Sequence, residues 1–394
     1  MRSGLLRFVT RGGSAVEPGE TAGLLAGRSE ARHGSQNPLS RVERPHVANR
    51  MEDALDSWIA ATLVQRGWTV RIVPYGGYGG RGWVRVLART VLAAPGVADD
   101  DLADSGATAQ THDADRDLAD LRGWRSFLSA PVAGTPVEVR VADQVHHVVA
   151  DRDGYVDHML VGDLEPGWQD VTLRACGSAP VTAPIQVVVP HGAGVVCDID
   201  DTVMVTRLPR MFVAAWNSLV RRADAREAVP GMARLLHALH DRDPDGPIVY
   251  LSTGAWDTAP TVARFLRVHG FPAGTLLLTD WGPTNTGWFR SGPRHKVTQL
   301  RRLFHELPGV RWTLVGDDGQ HDPRVYAGAL THHPDRVCAV LLRQLTFAEH
   351  VLSSPTTRHF PPSGTPRPTR EIPVLGGPDG FALLDAARGA GLVA

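Results

Sequence analysis

Residues 195–202 read Val195-Val196-Cys197-Asp198-Ile199-Asp200-Asp201-Thr202. This stretch begins as a short apolar run, long enough for a buried strand, and it ends in three carboxylates and a hydroxyl. In open α/β sheets, active sites lie at the carboxyl ends of the strands. A buried strand that ends in acids is therefore the first candidate for chemistry in this chain.

Downstream of this stretch, strand-like apolar segments alternate with segments of helical periodicity. The predicted strands are 195–198, 247–252, 275–279, 311–316 and 337–342. The predicted helices lie at about 210–222, 231–241, 258–269, 295–306 and 346–353. Because such alternation is typical of a parallel sheet, we expect an α/β domain over residues 191–353.

Upstream of residue 190, the sequence has short segments that alternate apolar and polar residues. The predicted strands include 137–141, 145–149, 155–157, 169–173 and 185–189. Their regular spacing predicts a small all-β sandwich. Gly77-x-Gly79-x-x-Gly82 formally matches a dinucleotide fingerprint, but a strand pattern follows it where the fingerprint needs a helix. We interpret it as a glycine-rich turn between two strands.

Four segments are expected along the chain. Residues 1–50 are rich in Gly, Ser, Arg and Glu without periodicity, which predicts a disordered extension, and Met51 is a candidate start. Residues 51–190 should hold a helix and the β-sandwich, and residues 191–353 the α/β domain. Residues 354–394 are predicted to be a Pro-rich tail that ends in a short helix.

Composition limits the partners and the compartment. Lys plus Arg number 41 against 42 Asp plus Glu, so no overall charge attracts nucleic acid or an acidic membrane. The three cysteines, at 176, 197 and 338, are too scattered for a disulfide framework. No apolar run approaches the roughly 20 residues of a spanning helix. We predict a cytoplasmic protein without nucleic-acid partner or transmembrane segment, whose membrane contact is peripheral; the oligomeric state stays open.

Four features follow the strand–helix alternation, each at a predicted strand end or helix start. They are Asp198-Ile199-Asp200-Asp201-Thr202, Ser252-Thr253, Lys296 and Gly316-Asp317-Asp318-Gly319-Gln320-His321-Asp322. In this order they resemble the motifs of the haloacid dehalogenase superfamily: D-x-D-x-T, a hydroxyl, a lysine and G-D-x-x-x-x-D. The resemblance implies a haloacid dehalogenase-like α/β catalytic domain with a Rossmannoid parallel sheet.

The same resemblance implies catalytic roles. Asp198 would attack phosphorus and form an aspartyl phosphate. Asp200 would protonate the leaving oxygen and then take a proton from the hydrolytic water. Ser252 would hydrogen-bond the phosphoryl oxygens, and Lys296 would balance charge between them and Asp198.

Further phosphate and metal ligands are implied in the same way. Thr202 and Thr253 join Ser252 and Lys296 as phosphate-binding residues. A Mg²⁺ ion, which takes octahedral oxygen ligands, would be held by Asp198, the Asp200 carbonyl, Asp317 and waters. Asp322 would orient the metal shell, Asp318 is an alternative ligand, and Asp201 would act behind the ligands or cap a helix.

The first acidic motif, residues 198–202, is also compatible with two other kinds of site. A calcium loop of the EF-hand type wants Gly at its sixth position, where this chain has Val203, and flanking helices in place of a buried strand. A glycosyltransferase-type D-x-D would leave Lys296 and the Gly316-Asp317 motif without a role. Both alternatives therefore explain less of the sequence than a phosphatase does.

A narrower resemblance is to the actin-patch-protein family of Mg²⁺-dependent phosphatidate phosphatases and its bacterial relatives. It rests on residues 198–203 with Val205-Thr206, on Tyr250-Leu251-Ser252, and on residues 316–323 with Tyr326. Upstream, residues 75–79 and 84–89 are similar to that family's amino-terminal β region, so the likeness spans about 60–350. It implies dephosphorylation of phosphatidate to diacylglycerol.

Two short segments near the motifs suggest how the protein would bind a lipid substrate. Residues 203–230 and 281–294 are rich in aromatic, aliphatic and arginine side chains, among them Trp216, Trp288 and Arg290. Such a rim suits a headgroup presented at a bilayer surface, although the two tryptophans could equally pack the core. We predict a Mg²⁺-dependent phosphatidate phosphatase. The alternatives are the same mechanism on a soluble phosphomonoester or phosphoprotein, or a membrane-associated scaffold with a vestigial phosphatase domain.

Overall fold

The structure is a computed structural model that describes five stretches of the chain. These are 62–94, 132–205 apart from 176, 227–279, 292–346 apart from 320, and 372–394, together with residue 349. Several predictions lie outside the described residues: the extension at 1–50, the helix at 210–222, and the rim with Trp216, Trp288 and Arg290.

Seven strands in the first half of the chain form one mixed sheet. They are β1 (Thr69–Gly80), β2 (Trp83–Ala93), β3 (Pro136–Val141), β4 (Gln144–Val149), β5 (Tyr155–Val161), β6 (Gly167–Ala175) and β7 (Val181–Val187), in the order β4-β3-β6-β7-β1-β2-β5. Alternate residues of each strand face an interior of small aliphatic side chains, such as Val86, Val139 and Ile185. This alternation is what makes the segments strands.

The predicted small β-sandwich is wrong. The strands form a single sheet that curls until its two edge strands approach each other, so that His158 Nε2 of β5 lies 3.3 Å from the Val149 carbonyl oxygen of β4. The result is a nearly closed, barrel-like sheet. Alternating burial is the same in a sandwich and in a curled sheet, so the sequence pattern could not distinguish them.

The predicted glycine-rich turn is also wrong, because most of it is the second half of β1. Gly76, at φ 80°, forms a bulge where the β1–β2 register shifts. A Cβ atom on Gly77 would lie 2.0 Å from the Arg85 carbonyl oxygen. The glycines therefore allow two backbones to approach closely within a strand pair.

Six strands in the second half form a parallel sheet. They are β8 (Gly192–Asp198), β9 (Ile248–Ala255), β10 (Thr275–Thr279), β11 (Val310–Asp317), β12 (Val337–Arg343) and β13 (Val374–Gly377), in the order β10-β9-β8-β11-β12-β13. The helices are α1 (Met232–His240), α2 (Ala259–Val268), α3 (Gly292–Glu306), α4 (Asp322–His332) and α5 (Gly380–Gly389), with a 3₁₀ turn at Trp256–Thr258.

The predicted fold class, a haloacid dehalogenase-like Rossmannoid α/β domain behind a small sandwich, is contradicted. The described part of the chain is mostly β, with thirteen strands and five α-helices whose two ends are both described. Its parallel sheet is not a clear Rossmannoid α/β fold. The sequence pattern marked where strands and helices fall. It could not show that β1 and β2 are so long, or that the tail adds β13 to the parallel sheet.

One hydrophobic cluster joins the two sheets. Tyr75, Tyr78 and Leu87 of the mixed sheet belong to the same buried cluster as Tyr250 of the parallel sheet and Trp256 of the 3₁₀ turn. Within the described residues, no helix combines the length and the apolar character that crossing a membrane requires. The packing brings β1 against β10, the 3₁₀ turn after β9 and α3, the helix that carries Lys296.

Candidate active site

The site is built at the carboxyl ends of two neighbouring parallel strands. Asp198 is the last residue of β8 and Asp317 the last of β11, and the two strands pair directly, with Cys197 opposite Val315. Asp322 opens α4 just beyond. Carboxylate oxygens of Asp198, Asp317 and Asp322 lie within 4.8 Å of one another, and all three residues are buried. The topology thus gathers three sequence-distant acids at one point.

Lys296 supplies the cation of the site. It lies in the second turn of α3, and its side chain is buried. Its Nζ lies 2.7 Å from Asp198 Oδ1 and 2.5 Å from Asp322 Oδ1. The lysine therefore bridges the predicted nucleophile and the carboxylate at the start of α4.

The charges of this cluster shift its titration. Burial raises the pKa of Asp198 well above its usual range, and the negative charge of Asp322 raises it further, against the opposing charge of Lys296. Burial alone would lower the pKa of Lys296, but Asp198 and Asp322 outweigh burial and raise it. The anionic form of Asp198 is thus disfavoured by burial and by the charge of Asp322.

The residues present fit a divalent cation. In the described part of the site, Asp198, Asp200, Asp317 and Asp322 face one cation, Lys296. The buried oxygens Asp200 Oδ1 and Asp322 Oδ2 have no hydrogen-bond partner among the described atoms. Buried polar atoms are normally partnered, and clustered carboxylate oxygens are the ligands that hard divalent cations prefer. A divalent metal would therefore satisfy both the excess charge and the unpartnered oxygens.

The two predicted hydroxyl residues, Ser252 and Thr253, lie in the second half of β9 and face different surroundings. Ser252 Oγ donates to Asp200 Oδ2 at 2.8 Å and accepts from the Gly254 backbone N–H at 2.9 Å. Thr253 lines the cleft together with the carboxylates and Lys296. The structure therefore places both residues next to the acids. Ser252 is hydrogen-bonded to Asp200, the predicted general acid, and Thr253 lines the cleft.

The loop after Asp198 folds back on itself. Thr202 Oγ1 lies 3.5 Å from Asp198 Oδ2. Asp201 is buried in a left-handed backbone conformation, φ 56°, which Asp tolerates better than most residues. Its carbonyl accepts a 2.8 Å hydrogen bond from Arg343 at the end of β12. Asp318, the alternative metal ligand, accepts through Oδ1 from the Leu345 backbone N–H at 2.8 Å and lies outside the three-carboxylate group.

Two residues of the site were not singled out from the sequence. His321 lines the cleft beside Asp322, and Arg343 holds the loop after Asp198. His321 stands inside a quoted motif, so its position could have suggested it. Arg343 ends an ordinary buried strand, and no local signal marks it.

Comparison with known proteins bears on this region. Residues 193–344 match a family model described as the catalytic domain of phosphatidate phosphatase APP1. The matched range contains every site residue described above. The predicted relationship to the actin-patch-protein family of phosphatidate phosphatases is confirmed for this part of the chain.

Two curated yeast proteins are similar to the chain. It is 25% identical over 233 residues to phosphatidate phosphatase APP1 of Saccharomyces cerevisiae, an alignment that covers 56% of this chain and 39% of that protein. It is 22% identical over 198 residues to the uncharacterized protein C29B5.04c of Schizosaccharomyces pombe, which covers 46% and 32%. The chain thus spans less than two fifths of the length of either relative.

A solved structure with partial similarity is that of XAC1771, a carbohydrate acetylesterase from Xanthomonas citri. Its TM-score is 0.25 at 9% identity, over 70% of this chain and 68% of that one. A similarity this low has no bearing on fold or activity.

Proposed function

We propose that this protein, whose residues 193–344 are of the APP1 catalytic type, is a Mg²⁺-dependent phosphatase that hydrolyses phosphatidate to diacylglycerol and inorganic phosphate. The observation that carries the proposal is the convergence of Asp198, Asp317 and Asp322 around Lys296 at one sheet edge. The substrate class comes from the similarity to yeast APP1.

A Mg²⁺ ion would be held by Asp198, Asp317 and the Asp200 carbonyl, with Asp322 next to them. Such an ion would offset the negative charge of the phosphoryl group and keep Asp198 ionised despite its raised pKa. The remaining steps belong to the side chains of this chain.

The first step would be attack of an Asp198 carboxylate oxygen on phosphorus. The P–O bond to the glycerol oxygen breaks, and that oxygen takes a proton from Asp200. The products are diacylglycerol and an aspartyl phosphate on Asp198. Lys296 lies 2.7 Å from Asp198 Oδ1, where it would stabilise the charge that moves onto the equatorial oxygens.

The second step would be hydrolysis of the acyl phosphate. Asp200 takes a proton from a water molecule, which attacks phosphorus and breaks its bond to Asp198. Ser252, whose hydroxyl donates to Asp200 Oδ2, would hold that carboxylate towards the reacting oxygen in both steps. Thr253, in the cleft, and Thr202, beside Asp198, would contact the phosphoryl oxygens.

The substrate would be taken from a membrane surface by a cytoplasmic protein in peripheral contact with it. The phosphate monoester would bind at the cleft lined by the carboxylates, Thr253 and Lys296, and the acyl chains would stay in the bilayer. Within the chain, the proposed units are the mixed-sheet region over residues 51–190 and the catalytic region over residues 191–353, between an extension at 1–50 and a tail at 354–394.

The test is release of phosphate from phosphatidate in mixed micelles, compared with p-nitrophenyl phosphate, each with Mg²⁺ and with a chelator. We expect Mg²⁺-dependent turnover of phosphatidate with the higher kcat/KM, and none by Asp198→Asn. Higher kcat/KM on the soluble ester would favour a soluble phosphomonoester substrate. Equal phosphate release by wild type and Asp198→Asn would favour a scaffold with a vestigial site.

A further inference from the structure

Strand β1 of the mixed sheet contacts three elements in the second half of the chain, and two of them are α3, which carries Lys296, and the 3₁₀ turn that follows Ser252 and Thr253 of β9. Tyr75 stacks on Trp256, with ring centroids 4.5 Å apart. The Gly77 carbonyl accepts a 2.9 Å hydrogen bond from Thr275 Oγ1 of β10. Tyr78 Oη donates to Glu306 Oε2 of α3 at 2.6 Å. A four-residue segment thus contacts the loop after β9, the edge strand β10 and the helix of Lys296.

The contact with α3 is the strongest of the three. Arg85 of β2 donates from Nε to Glu306 Oε2 at 3.1 Å and forms ion pairs with Glu306 and Asp157. Arg302 of α3 donates to Asp157 Oδ2 of β5 at 2.9 Å. Because the Arg85 and Glu306 side chains are largely buried, these bonds are less screened than surface ion pairs. The last turn of α3 is therefore anchored to three strands of the mixed sheet.

The bonds of Glu306 to the mixed sheet affect Lys296 because Glu306 and Lys296 lie on the same helix, α3. Glu306 follows Lys296 by ten residues, about 15 Å along a straight helix. A helix of this length behaves as a rigid rod, so fixing one end limits the displacement of the other. Lys296 meets Asp198 and Asp322 at hydrogen-bond distances, where a displacement of about 1 Å costs as much as 100-fold in rate.

The stack of Tyr75 on Trp256 acts on the other side of the site. Trp256 begins the 3₁₀ turn that directly follows β9, three residues beyond Thr253. Its ring is buried, and the interplanar angle to Tyr75 is 19°. The stack therefore fixes the end of the segment that carries Ser252, Thr253 and Gly254.

We propose that the mixed sheet positions the active site: Tyr78 and Arg85, through Glu306, hold α3 and thereby Lys296, while Tyr75, through Trp256, holds the end of β9 with Ser252 and Thr253. These are positioning residues, since none of them contacts the reacting atoms. The proposal rests on the proposed phosphatase function. It gives the mixed sheet a task other than binding a separate partner.

The experiment compares Arg85→Lys with Arg89→Lys. Both arginines are buried on one face of β2, but Arg89 lies over the Tyr155 ring at 4.6 Å and donates from Nε to the Asp153 carbonyl oxygen at 3.3 Å, two contacts in the mixed-sheet half of the chain. We expect Arg85→Lys to lower kcat on p-nitrophenyl phosphate by about 10-fold or more, with KM changed less than about twofold. Inhibition by orthovanadate should weaken in parallel, and Arg89→Lys should match wild type.

Hydrogen exchange provides a readout that needs no turnover. Amides of the first turns of α3, around Lys296, should lose protection in Arg85→Lys and keep it in Arg89→Lys. Should Arg85→Lys fail to fold, Tyr78→Phe removes only the hydroxyl bonded to Glu306, and Tyr155→Phe is its control.

Equal kcat losses in the Arg85 and Arg89 variants, or unchanged kcat and protection in Arg85→Lys, would overturn the proposal. A wild-type protein without phosphatase activity would refute the proposed function instead. The exchange data would then still show whether the mixed sheet holds α3.

Discussion

Two charge clusters, one at Lys296 near the start of α3 and one at its last turn, differ in their balance. Around Lys296, the described acids are Asp198, Asp200, Asp317 and Asp322, so negative charge is in excess. At the other end of α3, Arg85 and Arg302 face Asp157 and Glu306, and the charges cancel. One helix thus connects an unbalanced cluster with a balanced one.

The titration of the acids reflects this difference. Burial raises the pKa of Asp198, and its like-charged neighbours reinforce that effect. Burial would also raise the pKa of Asp157, but Arg85 and Arg302 outweigh it and lower the pKa. Buried charges are tolerated when they are paired, so the balanced cluster needs nothing more, whereas the unbalanced one is completed only by a cation. An unbalanced cluster is therefore a better sign of function than burial of charge alone.

The largest expected effect comes from removing the proposed nucleophile. Asp198→Asn should lower phosphatase kcat by at least about 1,000-fold, because no carboxylate remains to attack phosphorus. The free energy of unfolding should stay the same or rise, since one of several like charges is lost. Phosphate release and urea denaturation measure the two quantities. If the kcat of Asp198→Asn stayed within tenfold of wild type, the unbalanced cluster could no longer be distinguished from the balanced one as the active site.

Removing the cation of the site should affect both activity and stability. Lys296→Met should lower kcat by about 100-fold and the free energy of unfolding by about 3 kcal/mol, because Asp198 and Asp322 lose their common partner. The double variant Lys296→Met with Asp322→Asn should recover part of the stability and none of the activity. Additive stability losses in the double variant would contradict this coupling.

Divalent metal should stabilise the protein through the unbalanced cluster alone. At 100 times its Kd, Mg²⁺ or Mn²⁺ should raise the free energy of unfolding by about 2.7 kcal/mol. Asp317→Asn should remove most of this increment, and Glu306→Gln, in the balanced cluster, should leave it intact. Thermal denaturation with metal and with a chelator measures the increment. A loss in Glu306→Gln equal to that in Asp317→Asn would argue against the site.

The smallest expected effect is the acid dependence of the balanced cluster. The pKa of Asp157 is lowered below its ordinary value of 3.8, so the unfolded chain binds the proton more readily. Its stabilising contribution is present above about pH 4 and is lost as the pH falls below that. Asp157→Asn should therefore flatten the fall in stability between about pH 5 and 3, measured by urea denaturation.

Asp198→Asn should change the pH profile in the opposite direction. The raised pKa of Asp198 means that the folded state keeps this proton longer, so its ionisation reduces stability as the pH rises above about 4. In Asp198→Asn, the free energy of unfolding should no longer fall for this reason as the pH rises. Equal slopes for the two variants would show that the clusters do not differ in this way.

Local sequence identified the strands and the acids that end them. Each strand predicted between residues 195 and 342 overlaps one of β8 to β12, because buried parallel strands are continuous apolar runs. Asp198 and Asp317 follow such runs, and Lys296 falls near the start of a predicted helix. The motif order then sufficed to indicate the family.

Local sequence failed where partners are far apart. Alternation in β1 to β7 is the same whether strands form a sandwich or a curled single sheet, so the architecture was predicted wrongly. The bonds of Glu306 to Arg85 and Tyr78 join residues 221 and 228 positions apart, with no local pattern. The role of Arg343 was likewise invisible at the end of an apolar strand.

By itself, the sequence determined which residues could perform the proposed phosphoryl-transfer chemistry, because strand ends and motif spacing are local properties. Only the tertiary structure decided that Asp322 shares Lys296 with Asp198, and that Ser252 bonds to Asp200. It also decided that a second sheet anchors the helix of Lys296. These depend on how distant segments pack, and packing is set by the whole chain together.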